Sequence, residues 1–135
     1  MRIMIDTNVL LSSFLFPSPT MNAFVNLVID QHKIVLSSYI IDELNAVIAK
    51  KFPAKHHLVS QFIEELPFEL FESHIDVEHS TTPFARDPKD LPILVAAIES
   101  NVDFLITGDK DLLEINISTS KPIIMEPAKF VKYHG

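Results

Sequence analysis

The sequence predicts an α/β fold in which a parallel sheet is covered by helices on both faces. Three observations carry this expectation. Short apolar runs alternate with segments of helical periodicity from one end of the chain to the other. At 135 residues and 47% apolar content the chain is long enough to bury a core, and is expected to form a single domain over 1–135. Acidic residues recur where an apolar run ends or a helix begins, the edges that face the ligand crevice of an open α/β sheet.

Taken in order, residues 2–5 read as a short buried strand closed by Asp6-Thr7-Asn8. Asn8 to Phe16 are mostly apolar, and Pro17-Ser18-Pro19 then break the chain. Thr20 is the expected cap of a helix over about 21–31, with Ala23, Phe24, Leu27 and Val28 on one face. Residues 33–36 read as a second strand. Ser37 or Ser38 caps the following helix, with Asp42 and Glu43 in its early turns, where acids suit the helix dipole. That helix should stop near Phe52-Pro53. A third helix is expected over 55–65, a strand over 68–71 and a polar connection over 72–85. The segment Asp87-Pro88-Lys89-Asp90-Leu91-Pro92 leaves two caps open. Asp87 would place Pro88 favourably but Pro92 badly, whereas Asp90 puts Pro92 safely in the first turn and is slightly preferred. The helix then runs to about Ser100. A strand over 104–107, a short helix near 110–115, a strand over 123–125 and a helix over about 127–133 complete the chain.

Composition removes several functions. Zero cysteine excludes disulfides, thiolate catalysis and the usual structural zinc sites. Two glycines cannot build a phosphate-binding glycine loop. No apolar run is long enough to cross a bilayer, and the first run is too short for a signal-peptide core, so a cytoplasmic protein is expected. The net charge of −7 works against non-specific nucleic-acid binding, although a site holding several acids and bound cations would account for part of it. Lys50, Lys51 and Lys55 lie close together beside His56 and His57. A solvated helix end explains them most simply, and a local phosphate-contacting patch is the sharper alternative. The six histidines show no metal-ligand spacing.

The acids are the informative feature. Asp6, Glu43, the pair Asp87 and Asp90, and the pair Asp109 and Asp111 come from distant parts of the chain. Each alone has an ordinary explanation as a cap, a turn residue or a dipole partner. Asp42 competes with Glu43; neighbours on a helix differ in facing by about 100°. Asp42 lies on a weakly polar stripe with Asn45 and Ala46, Glu43 aligns with Tyr39, Val47 and Lys50, and periodicity leans to Glu43 without settling the choice. Together, acids recurring at separate element ends favour a shared site. Two carboxylates about 5 Å apart repel by roughly 3 kcal/mol at an effective dielectric near 20, and four would oppose their own ionisation by roughly 20 kcal/mol. Either some protonate or a cation neutralises them. Hard oxygen donors without thiolate or imidazole suit Mg²⁺ or Mn²⁺.

With these residues in place, the chain resembles the PIN-domain family of metal-dependent ribonucleases, and within it the VapC-like toxins of toxin–antitoxin pairs. The similarity runs over nearly the whole chain. Ile5-Asp6-Thr7-Asn8-Val9-Leu10 resembles the first acidic motif, Ser37 to Glu43-Leu44 the helix-borne glutamate, Asp87-Pro88-Lys89-Asp90 the DPxD segment of one subgroup, and Thr107-Gly108-Asp109-Lys110-Asp111 the last motif. The resemblance implies a three-layer α/β/α sandwich with a central parallel sheet. It implies an acidic quartet of Asp6, Glu43, Asp90 and Asp109, with Asp111 sharing the last position and Asn8 and Thr107 supporting it. Asp87 has the weakest claim, and Pro92 departs from the family pattern. The implied activity is metal-dependent endoribonuclease cleavage leaving 5′-phosphate and 3′-hydroxyl ends. The implied partners are RNA, a cognate antitoxin and a second copy in a homodimer. Two other classes are weighed against this. A phosphoaspartyl phosphatase would want an Asp where Asn8 stands, and a receiver-like protein would want an Asp in 68–73, where only Glu69 and Glu72 occur. An antitoxin-binding module with little catalysis is the non-enzymatic alternative.

Overall fold

The five described strands form one sheet and all run parallel, with the third in sequence at one edge followed by the second, first, fourth and fifth. The computed structural model describes residues 1–72, 91–115 and 120–135. Asp87, Asp90 and nearly all of the connection expected over 72–85 lie outside the described residues. The strands are β1 (Arg2–Ile5), β2 (Lys33–Ser37), β3 (Phe68–Phe71), β4 (Phe104–Ile106) and β5 (Ile123–Met125). Flanking helices are α1 (Thr7–Leu15), α2 (Pro19–Gln31), α3 (Ser38–Lys51), α4 (His56–Glu65), α5 (Leu91–Glu99), α6 (Lys110–Leu113) and α7 (Pro127–His134).

The three central strands are buried because both of their faces are covered. Ile3, Met4, Val35, Leu36, Leu105 and Ile106 are inaccessible to solvent, whereas the edge strands β3 and β5 are only partly covered. A main core joins the sheet to α2, α5 and α7, where Phe130 meets Phe24 and Phe104 edge-to-face at 5.9 and 5.3 Å. A second cluster, Leu11, Leu44, Ile48 and Val59, ties α1, α3 and α4 together.

Two helix starts differ from the sequence expectation. The apolar stretch from Asn8 to Leu15 lies in α1 (Thr7–Leu15), whose N-cap is Asp6 and whose C-cap is Phe16. Its polar positions are too few to outline a stripe, so periodicity does not reveal it. Helix α2 begins at Pro19 rather than near 21. Ser18, not Thr20, caps it, its Oγ accepting from the Met21 N–H at 3.1 Å. Proline fits the first helical position because its missing N–H would have no partner there and its φ is already helical. Ser37 caps α3, accepting from the Ile40 N–H at 3.2 Å, so Glu43 stands in the second turn. The described helix α5 starts at Leu91, which puts Pro92 in its first turn, where no ladder bond is lost.

Helix α5 ends on Asn101, whose φ of 58° is left-handed. The Val102 N–H then reaches back to the Ala97 carbonyl at 3.4 Å and Val102 is fully buried. This is a left-handed helix stop with its hydrophobic contact, filled by asparagine in place of glycine. Asn101→Ala is expected to cost about 1–2 kcal/mol from the Cβ strain, with Asn101→Gly at or above wild type; urea denaturation midpoints at constant m-value check it.

Candidate active site

The strand order fixes where a site can form. From β1 the chain adds β2 and β3 on one side, while β4 and β5 extend the sheet on the other. A crevice opens where the order reverses, at the C-terminal ends of β1 and β4. Asp6 follows β1 directly and Thr107 follows β4 directly. Register places Ile5 beside Ile106, and the Asp6 N–H donates to the Ile106 carbonyl at 2.9 Å. Residues 101 positions apart in sequence are thereby held side by side.

Asp6 is 8% exposed and its carboxylate is gripped from two sides. The Thr7 N–H donates to Oδ1 at 2.7 Å, and the Thr107 hydroxyl donates to Oδ2 at 2.7 Å. The Thr107 Oγ in turn accepts from the Asp109 N–H at 3.1 Å, and Asp109 Oδ1 accepts from the Asp111 N–H at 2.9 Å. Asp109 is thus the N-cap of α6, with Asp111 in that helix's first turn. Each oxygen of Asp6 still has a lone pair beyond its one protein hydrogen bond. The Thr7 hydroxyl is buried with no hydrogen-bond partner among the described residues.

On α3, Glu43 is half-buried and accepts from the Tyr39 hydroxyl, one turn earlier, at 2.9 Å, while Asp42 is exposed. Burial pushes the Asp6 carboxyl above its ordinary pKa of 3.8. The Thr107 and Thr7 bonds pull it back, and the negative charges of Glu43 and Asp109 push it up further. Three acids from β1, α3 and the end of β4 therefore lie within electrostatic reach of one another. Asp111 is not among the charges that move Asp6.

The opposite edge of the sheet handles its acids differently. There Glu69 pairs with Arg2 and, at 3.8 Å, with Lys33. Asp103 accepts from the Arg2 N–H at 2.9 Å and pairs with Lys121 at 3.1 Å, which holds its carboxyl below the usual range. Among the described residues, neither Asp6 nor Glu43 nor Asp109 has an ion-pair partner. Acids left together without a cation, one of them buried, are the condition that a bound dication relieves. The all-oxygen donor set fits a hard ion such as Mg²⁺ or Mn²⁺. No three acids or histidines among the described residues form a metal-holding group on their own, and Asp90 lies outside that set.

Asn8 is exposed at the crevice, and the bonds to Asp6 come from Thr7 and Thr107 instead. Lys50 and Lys51 are exposed in the last turn of α3, with Lys55 in the short 3₁₀ turn beyond it. Beside Asp109 lies a cleft of about 330 Å³ that sequence reasoning did not anticipate; its residues come from α1, α2, the turn after β4 and the start of α7. Gly108 in that turn is the one sequence signal that points to it.

A family model described as PIN domain matches residues 2–111. Among proteins of curated function none matches. A chain from the crystal structure of VapBC2 from Rickettsia felis bound to a DNA fragment from their promoter superposes with a TM-score of 0.69. The alignment has 18% sequence identity and covers 93% of this chain and 98% of that one. At that identity the likeness is one of fold.

Proposed function

The chain belongs to the PIN-domain family, and from that premise we propose that it is a Mg²⁺- or Mn²⁺-dependent endoribonuclease acting as the toxin of a type II toxin–antitoxin pair. The observation that carries the reading is the buried Asp6 carboxylate at the reversal of strand order, bonded to Thr107 and pressed by the charges of Glu43 and Asp109. PIN nucleases as a family depend on divalent metal, and the donor chemistry here agrees with that. In this reading Asp6, Asp90 and Asp109 hold the metal, Glu43 binds alongside them or orients the attacking water, and Asp111 supports the last position. When bound, the ion would lower the pKa of a coordinated water and offset charge on the attacking and leaving oxygens.

The chain's own residues do the rest. Thr107 and the Thr7 N–H fix the direction of both Asp6 oxygens, so the carboxylate does not have to reorganise as charge develops. Tyr39 holds Glu43 by one oxygen and leaves the other for the ion or for orienting the attacking water. No side chain is positioned as a covalent nucleophile in this scheme; water attacks phosphorus, and the products carry 5′-phosphate and 3′-hydroxyl ends.

The likeness to a chain of VapBC2 supports a protein partner, and a cognate antitoxin is the partner proposed. A homodimer and a cytoplasmic location complete the reading; no helix among the described residues is long and apolar enough to cross a membrane. The direct test is single-stranded RNA incubated with the protein in Mn²⁺ and in EDTA. Cleavage only with Mn²⁺ is expected, and equal cleavage in EDTA would remove the metal from the mechanism.

Lys50, Lys51 and Lys55 are proposed as RNA contacts beyond the site. Replacing all three by Glu is expected to raise KM with little change in kcat. It should also shallow the salt dependence, since each lost phosphate contact removes roughly 0.7 from the slope of log K against log salt on a single strand. KM measured from 50 to 200 mM salt checks this, about the range over which such contacts are screened. An unchanged slope would leave these lysines as solvated charges at and beyond the end of α3.

A further inference from the structure

Gly108 is one of two glycines in the chain, yet no internal demand accounts for it. Its φ is not left-handed, and a Cβ built on it would meet no atom within 4 Å. It stands exposed between Thr107 and Asp109, on the wall of the cleft of about 330 Å³. A glycine that the backbone does not need, facing space that the protein does not fill, leaves room for something else.

The lining says what. Val9, Met21 and Pro127 supply apolar surface, and Asn8 and Ser12 supply hydrogen-bonding groups. Asp109 is the only ionisable residue on the described walls. A phosphate here would meet that negative charge with no lysine or arginine among the described lining residues. An uncharged, flat group with apolar faces and a polar rim would meet no such penalty, and a nucleobase has that character. The volume lies at the low end of small-molecule sites, roughly 300–1,000 Å³, which suits one base with its sugar and not a helix. Asn8 is exposed, and its amide offers both donors and an acceptor, the equipment for reading a base edge. Bases in a duplex have their faces stacked and their pairing edges occupied, so only an unpaired base can enter such a pocket.

We propose that this cleft seats one unstacked base of single-stranded RNA next to the scissile phosphate, with Asn8 reading its edge and Gly108 leaving the space it occupies. The proposal rests on the nuclease reading above and adds the origin of base selectivity.

The experiment maps cut sites on mixed-sequence single-stranded RNA in Mn²⁺ for wild type, Gly108→Val and Asn8→Ala, each first checked by its thermal melt. Wild type is expected to favour one base at a fixed position beside the cut by about tenfold or more, the scale of one good polar base contact. An abasic sugar at that position should lower its rate by about tenfold, the scale of withdrawing one base's apolar faces from water. Gly108→Val should bring the ratio of intact to abasic rates close to one. Asn8→Ala, which changes an exposed side chain, should flatten the preference among bases even if the valine variant does not fold. If wild type cuts RNA without base preference, or both variants keep its preference, the pocket proposal is overturned while the nuclease reading stands. Loss of partner-protein binding with base preference intact would assign the cleft to that partner and overturn it equally. If wild type cuts no RNA in any metal, the nuclease reading fails and the base pocket falls with it.

Discussion

Asp6→Asn is expected to lower metal-dependent RNA cleavage by about 10²–10³-fold or more, the scale of removing a preorganised electrostatic group from a site, while making the metal-free protein more stable. The two effects have one cause. Asp6 is buried, and Glu43 and Asp109 add repulsion, so its folded-state pKa lies above the ordinary value of 3.8. Between the unfolded and folded pKa values the folded state binds the extra proton. Stability therefore falls as pH rises through that window and stays lower above it. The amide carries no charge to desolvate, so this loss disappears. The gain should appear at pH 7 as a higher Tm of the variant than of wild type. It should shrink as the pH falls towards 4. Calorimetry in EDTA at both pH values measures it, and a wild type whose pH dependence matches that of the variant would contradict the account. Mn²⁺ should reverse the order. Wild type gains stability from a ligand that binds only the folded state, and the variant, with a weakened site, gains little. Stability traded for function at one carboxylate is a common feature of active sites.

Thr107→Val is expected to weaken metal binding by about 10–100-fold, the usual cost of removing a group that orients a metal ligand. Here stability should fall rather than rise. The substitution is nearly isosteric, but it leaves Asp6 Oδ2 without its donor and the Asp109 N–H without its acceptor. Each buried polar group stranded in this way costs about 1–3 kcal/mol. The Asp6 carboxyl should move further up, because the Thr107 bond is the largest effect pulling it down. The Mn²⁺ requirement of cleavage and a thermal melt in EDTA separate the outcomes. Loss of activity with stability unchanged would mean that the hydroxyl does not hold Asp6 in the free protein. The pair of substitutions also forms a double-mutant cycle. Once Asp6 is an amide, Thr107→Val should cost far less activity than it does in wild type, because both act through one oxygen.

Much of the architecture is legible because local chemistry and global fold agree. Ile3 to Ile5, Ile34 to Leu36 and Phe104 to Ile106 are short apolar runs, and the structure makes each a strand in a parallel sheet. Ser37 is a polar residue at a strand end, and it caps the helix that follows. The misplaced starts have equally local reasons. Helix α1 has almost no polar face to betray its period, and Pro19 acts as a first helical residue where a breaker was expected.

Sequence alone determined the strands and most helices, the absence of thiol and glycine-loop chemistry, and which acids end which elements, because each of these is set by residues within a few positions of one another. Only the tertiary structure decided that Thr107 bonds Asp6 across 101 positions, that Glu43 rather than Asp42 lies half-buried with its charge acting on Asp6, and that Gly108 borders an open cleft. Those are consequences of strand order and register: a parallel pair brings together ends that no local pattern connects, and a side chain's field and burial depend on which neighbours arrive.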